Sequence, residues 1–301
     1  MTEFAHQNYL IHLPGSSGLS SGLLAWPLLL AVMLFGLAYS SGADFWLADF
    51  WYQLQGGAWT LQRHWFFDGL MHQGVRQLNQ LLVLALVVYY FYLRWRNRQR
   101  QSSALFHQQL HHQQHQQLQH QRAVGVLLQS VLYSLAAVAI LKRLLPMDCP
   151  WDLTRFGGER QFTGLLTVWP QNQSATACFP AGHASIGYSW LALYFFCRPF
   201  GQRQARIALL LALMAGVVLG LVQQIRGAHF LSHDIATASL CWTLAYLTHW
   251  YNQRPAKTVS NGVGKTAGIR QPTYPELPIN HDGHTGLCLP SPDQEGKLLN
   301  D

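Results

Sequence analysis

Arg226-Gly227-Ala228-His229-Phe230-Leu231-Ser232-His233-Asp234 is a polar stretch set between two apolar runs, 206–223 and 235–251. Each run is long enough for a helical membrane crossing, which takes roughly 17–25 mostly apolar residues. Two more polar stretches stand at the edges of apolar segments in the same way. They are Leu141-Lys142-Arg143-Leu144-Leu145-Pro146-Met147-Asp148-Cys149-Pro150 and Phe179-Pro180-Ala181-Gly182-His183. Working outward adds four further apolar segments, 22–40, 79–95, 123–141 and 183–200. The fourth in chain order, 183–200, opens on His183, Ser185 and Ser189, so its first turns are polar. The reading is an all-α integral membrane bundle of six transmembrane helices. Composition agrees: 50% of residues are hydrophobic and only 11% are charged, against about 25% charged in soluble domains.

The distribution of cations orients the bundle. With both termini inside, thirteen of the twenty Lys and Arg residues fall on the cytoplasmic side: Arg94, Arg96, Arg98, Arg100, Arg122, Arg198, Arg203, Arg206, Arg254, Lys257, Lys265, Arg270 and Lys297. The other side holds seven, four of them in one loop from Lys142 to Arg160. All three polar stretches then face away from the cytoplasm. The net charge of +7 reflects loops beside anionic lipid. No basic patch interleaves with aromatics, so nucleic acid is not an expected partner. The segment 22–40 has no Lys or Arg before it, and Ser40-Ser41-Gly42 is a poor cleavage site, so it reads as a retained helix.

The expected organisation is a cytoplasmic N-terminal segment, 1–21, a membrane domain, 22–251, whose motif-bearing core is 123–250, and a disordered cytoplasmic tail, 252–301. The tail carries Pro255, Pro272, Pro275, Pro278, Pro290 and Pro292 without apolar periodicity. Its His281, His284 and Cys288 are too loosely spaced to make a metal site. From Arg94 to Arg122 the chain is rich in Gln and His, including His107, His111, His112, His115 and His120. Without acidic or thiolate partners these histidines read as a solvated loop or helical hairpin. Ala43 to Gln77 is rich in Trp, Phe and Tyr, with Asp44, Asp49 and Asp68 among them. One or two short helices along the outer interface fit that composition, either as an aromatic anchor or as a guide for a lipid tail.

The polar stretches can support phosphoryl chemistry. Attack on phosphorus by imidazole needs an unprotonated ring nitrogen, an acid for the leaving oxygen and cations for the equatorial oxygens. His229 and His183 offer the imidazoles, and Lys142 and Arg226 the cations. Gly182 admits a phosphate close to the backbone, at a turn that opens a helix. Arg155, Asp148 and Asp152 read as loop-structuring residues.

In order and spacing these residues resemble the type 2 phosphatidic acid phosphatase superfamily. Its signature is Lys, six residues, Arg-Pro; then Pro-Ser-Gly-His; then Ser-Arg, five residues, His, three residues, Asp. Here Lys142 is followed by six residues and Cys149-Pro150. The second part reads Pro180-Ala181-Gly182-His183, and the third is anchored by His229. The resemblance implies a bacterial inner-membrane enzyme with a periplasmic site, hydrolysing a lipid phosphate or diphosphate without metal or cofactor. His229 would be the nucleophile and His183 the general acid. Lys142, Gly182 and Arg226 would bind the phosphate. A lipid phosphotransferase using the same phosphohistidine, or a non-catalytic lipid-phosphate binder, are the alternative readings.

Three positions depart from the signature. Cys149 replaces an arginine; Gln223 stands where the third part has its arginine, with Arg226 one helical turn later; and His233 occupies the aspartate position, followed by Asp234. Orientation of the His229 ring then falls to Asp234 or to His233. The spacing of His229 and His233 also suits a metal pair, completed by Asp234 or His183, although Lys142 and Arg226 would oppose a divalent cation. Cys149 and Cys178 share one outer loop, where a disulfide is permitted. The open alternatives are a bond tying the Lys142 strip to the Gly182–His183 turn, or two buried thiols.

Overall fold

The structure is a computed structural model, which describes residues 20–103, 108–145, 147–164 and 176–253. Side chains of 101–112 are not described, so His107, His111 and His112 lie outside it. The same holds for the N-terminal segment to residue 19 and for residues 254–301, with His281, His284 and Cys288. Contacts divide the chain into Met1–Pro255 and Ala256–Asp301, and every helix described belongs to the first unit.

The described residues are helical, apart from one isolated bridge between Leu153 and Arg160. They form α1 (Gly22–Ser40), α2 (Ala43–Leu54), a π-helical segment (Trp65–Gly74) running into α3 (Val75–Ser103), and α4 (Gln108–Leu144). Then come α5 (Ala184–Tyr188), α6 (Ala192–Cys197), α7 (Gln202–Ile225) and α8 (Leu231–Gln253). Among the described residues four stretches are long and apolar enough to cross a membrane: Gly22–Ser40, Trp65–Arg100, Gln113–Leu144 and Gln202–Ile225. Their outward faces are apolar, as lipid contact requires. Trp26, Leu29, Val32 and Met33 on α1, Leu81, Val88 and Phe91 on α3, and Leu211, Met214 and Val217 on α7 are all exposed.

The two remaining expected spans are helical but differ in kind. Residues 184–200 break into α5, a 3₁₀ turn Ser189–Leu191, α6 and a second 3₁₀ turn Arg198–Phe200. Helix α8 continues to Gln253, two residues past the expected end of the membrane domain. It buries Ser232, His233, Asp234, Thr237 and Thr248. It packs against α1, α2, α4, α5, α6 and α7, so most of its surroundings are protein, and interior hydrogen bonds rather than hydropathy satisfy its polar groups. Thr237 Oγ1, for example, donates to His233 O at 2.8 Å.

Helix α4 has 37 residues, about 55 Å at 1.5 Å per residue, well beyond a bilayer core of about 30 Å. The Gln/His-rich tract is therefore a helical extension of α3 and α4, as the hairpin reading expected. Asn97 Nδ2 donates to Gln121 Oε1 at 2.8 Å, and Tyr89 Oη lies 3.0 Å from His120 Nε2 across the pair. The central core is built from Val131, Tyr188, Leu191, Phe195, Trp242 and Tyr246. Small residues let α5 meet α7 closely: a Cβ on Gly187 would strike the backbone of Gly216, and one on Gly216 would strike the Tyr188 ring.

At the end of the bundle where α4 and α7 finish, the segment 43–77 does more than line an interface. Phe45, Tyr52 and Trp59 pack on Ala48, Leu153, Phe156 and Phe230, while Trp46, Phe50, Leu54 and Trp65 face outward. Asp44 accepts from the Ser232 backbone N–H at 2.8 Å, capping α8 from another helix. Burial pushes the Asp44 carboxyl up, and its bonds to Ser232 and Leu231 work against that. Gln55 Nε2 donates to Ile225 O at 2.8 Å and so closes the end of α7. Between these ties runs Gly227, at φ +76, where a side chain would meet the Trp59 indole at 2.5 Å. The loop below is set by Arg160 on Asp148 at 3.0 Å, by Thr176 Oγ1 on the same carboxylate oxygen at 3.0 Å, and by the Cys149 N–H on Asp152 Oδ2 at 3.2 Å. Arg155 grips Asp49 at 2.9 and 2.6 Å, an exposed pair of small energetic weight. Asp148, Asp152 and Arg155 thus do the loop-structuring work expected of them.

Candidate active site

Four helix termini bring the motif residues together. Lys142 ends α4, Gly182 and His183 precede α5, Arg226 caps α7, and His229 precedes α8. A Cβ on Gly182 would sit 3.2 Å from Lys142 Nζ and 3.3 Å from its Cδ, so the lysine lies directly against the glycine backbone. His229 is buried, with its ring 5.7 Å from that of His233. Burial, with the charges of Lys142, His233 and His183 acting in the same direction, holds the His229 imidazole well below its ordinary value of 6.5. The ring is therefore neutral at pH 7, as a nucleophile must be.

His183 Nε2 lies 2.8 Å from Met71 O. A carbonyl only accepts, so this nitrogen carries the proton and Nδ1 is the basic one. The His72 ring is 4.6 Å from the His183 ring, and Gln223 Nε2 lies 3.1 Å from His72 Nδ1. Gln223 Oε1 in turn accepts from Arg226 Nη1 at 3.0 Å. The guanidinium of Arg226 thus occupies the neighbourhood of position 223, where the signature has its own arginine. Its Nε donates to Gln62 O at 3.0 Å, and its Nη2 pairs with Asp68 Oδ1 at 2.5 Å.

The π-helical segment Trp65–Gly74 accordingly lies across the site, with Asp68 on Arg226, Met71 on His183 and His72 between them. Sequence reading did not find this. The available signal was the four-residue spacing of Asp68 and His72, which puts both on one helical face just before an apolar span.

Asp234 does not join His229. Its Oδ2 accepts from Gln224 Nε2 at 2.5 Å, and its carboxylate lies against α7, where a Cβ on Gly220 would be 2.5 Å away. Adjacent residues of a helix point about 100° apart, so the turn that brings His233 to His229 carries Asp234 away. Both ring nitrogens of His233 lack a hydrogen-bond partner among the described residues.

Cys149 and Cys178 are bonded, S–S 2.03 Å, with their Cα atoms 5.3 Å apart. The Cys178 sulfur touches Ala228 O at 2.7 Å and His229 Nδ1 at 3.6 Å. In the disulfide it has no proton to donate, so these are contacts rather than hydrogen bonds. The bond therefore ties the first motif to the strip that carries His229 as well as to the Gly182–His183 turn; the Cys178 N–H also holds Met147 O at 2.9 Å. Ligand-type atoms of Cys178, His229 and His233 fall within 4.8 Å of one another. Cys178, not Asp234 or His183, is thus the third group beside the histidine pair. With that sulfur in a disulfide and the Lys142 charge acting on both rings, the donor set is a poor cation site.

A neutral imidazole, a second imidazole with a fixed tautomer, a lysine against a glycine backbone and an arginine nearby make a site suited to phosphate esters. Residues 123–257 match the family model of the PAP2 superfamily. Members of this superfamily are phosphatases. Searches of curated proteins and of solved structures return no match for the chain.

Proposed function

We propose that this protein is an integral membrane phosphatase that removes phosphate from a lipid phosphate or diphosphate through a phosphohistidine on His229. The observation that carries this reading is the convergence of Lys142, Gly182, His183, Arg226 and His229 from four helix ends, with His229 held neutral by burial. In the first step a ring nitrogen of His229 forms a P–N bond as the ester P–O bond breaks. His183, entering this step as the imidazolium with its second proton on Nδ1, gives that proton to the leaving oxygen while Lys142 and Arg226 hold the equatorial oxygens. Water then attacks the phosphohistidine, His183 takes its proton, and inorganic phosphate leaves. His233 takes the neighbouring position that a carboxylate fills in the family signature.

The lipid assignment rests on the apolar outer faces of α1, α3 and α7 around a site at one end of the bundle. In this reading α8 and residues 184–200 cross as well, giving six spans, with both termini cytoplasmic and the site on the opposite face. The cation distribution supports that orientation.

Two results test the reading. Activity on a lipid phosphate should survive EDTA and fall with vanadate, which mimics five-coordinate phosphorus; loss in chelator with recovery on adding zinc would point instead to a metal bound by the histidine pair. The second concerns Asp68, which holds the Arg226 guanidinium that the substrate phosphate needs. Replacing Asp68 with Asn removes the competing charge, so vanadate should inhibit at several-fold lower concentration, by about the 0.5–1.5 kcal/mol scale of one such contact. Unchanged or weaker vanadate inhibition would mean that Arg226 does not bind the phosphate.

A further inference from the structure

On the face of α8 turned away from His229, a groove of about 530 Å³ opens between α1 and the α7–α8 pair. Its walls are apolar, with Leu30 and Leu34 from α1, Leu213, Val217 and Leu221 from α7, and Trp242 from α8. Four polar side chains also line it, Tyr188, Gln224, Asp234 and Ser239; Gln224 and Asp234 are only 6% and 4% exposed. The Gln224–Asp234 hydrogen bond uses one atom of each. Gln224 Oε1 and Asp234 Oδ1 remain without a partner among the described residues. Buried acceptors carry a desolvation cost unless something donates to them, and an apolar pocket with a few convergent polar groups is the usual form of a ligand site.

We propose that this groove binds a long-chain alcohol, its hydroxyl donating to the Asp234–Gln224 oxygens and its chain lying along α7. The chemistry of the walls selects this class. Two acceptors with no cation beside them repel a phosphate or carboxylate head. An ammonium would bring three donors to two oxygens and leave one N–H unpaired against the leucines. A hydroxyl supplies one donor and no charge, and an unsubstituted hydrocarbon would leave both oxygens unpaired. The site stands independently of the phosphatase reading. The two meet in chemistry, because removing phosphate from a lipid leaves an alcohol, while the bilayer is a separate source of free long-chain alcohols.

Native mass spectrometry of the full chain released from detergent, after adding hexadecan-1-ol or hexadecane, tests it. A single saturable hexadecan-1-ol adduct is expected, with hexadecane not retained. Gln224→Leu should weaken the adduct about tenfold by removing one acceptor. Val217→Trp, which fills the wall without touching the acceptors, should abolish it. His229→Ala should keep it, which separates failure of this site from failure of the catalytic reading. Hexadecane retained as well as the alcohol, or an adduct unaffected by both Gln224→Leu and Val217→Trp, would overturn the proposal. Solvent extraction of purified protein distinguishes the sources: alcohol recovered from wild type and His229→Ala alike comes from the bilayer, and alcohol from wild type alone is the enzyme's own product.

Discussion

His229→Ala should lower turnover of a lipid phosphate by about 10³-fold or more, and His183→Ala by a comparable factor, because nucleophile and acid act as a unit. The two losses differ in kind. In the proposed reaction His229 supplies the atom that bonds to phosphorus, and burial beside Lys142 keeps its ring uncharged. His183 in that proposal supplies a proton, and its Nε2 is held by the Met71 carbonyl at 2.8 Å. A substrate whose leaving group needs no protonation should therefore restore the first step in His183→Ala but not in His229→Ala. Single-turnover release of such a leaving group decides this, with thermal unfolding as the check that both variants fold. Equal rescue of the two variants would remove the distinction between nucleophile and acid.

Replacing Cys149 and Cys178 together with Ser should cost about 3–4 kcal/mol of stability, the chain-entropy value for closing a loop of this size. The sequence separation is 29, and Cys178 is fully buried against Ala228 and His229. Activity should fall further than stability alone accounts for, since the bond holds the strip beside the nucleophile. Non-reducing mass spectrometry of protein alkylated in its native membrane measures the linkage directly. Two freely alkylated thiols would contradict it, and so would a serine pair as stable as the parent.

How much of this was legible in the sequence differs from residue to residue. The helices were, because long apolar runs such as 22–40 and 123–141 have few other outcomes. Lys142, Gly182, His183 and His229 were legible through ordered spacing, and Cys149 with Cys178 through their shared loop. Helix α8 shows where hydropathy weakens. Its run 235–251 reads as a span, yet packed against α1, α2, α4, α5, α6 and α7 it also carries Thr237 and other polar groups that are satisfied internally, which lowers its hydropathy. The choice between His233 and Asp234 depended on helical phase, which is fixed by packing of Asp234 against Gly220 and Gln224 rather than by local sequence. Asp68 and His72 were read only as part of an aromatic stretch. Asp68 reaches Arg226 across 158 positions, and Met71 beside His72 reaches His183 across 112. Both contacts are set by how the π-helical segment folds back over the bundle, which the four-residue spacing of Asp68 and His72 hints at but does not specify.

The most direct test of the phosphohistidine is to quench wild type, His183→Ala and His229→Ala in base within one turnover of a ³²P-labelled lipid phosphate, then map the label by peptide mass spectrometry. The account predicts acid-labile, base-stable phosphate on the peptide containing His229, in wild type and, with a good leaving group, in His183→Ala, and none in His229→Ala. Label on another residue, or label that persists in His229→Ala, would contradict it.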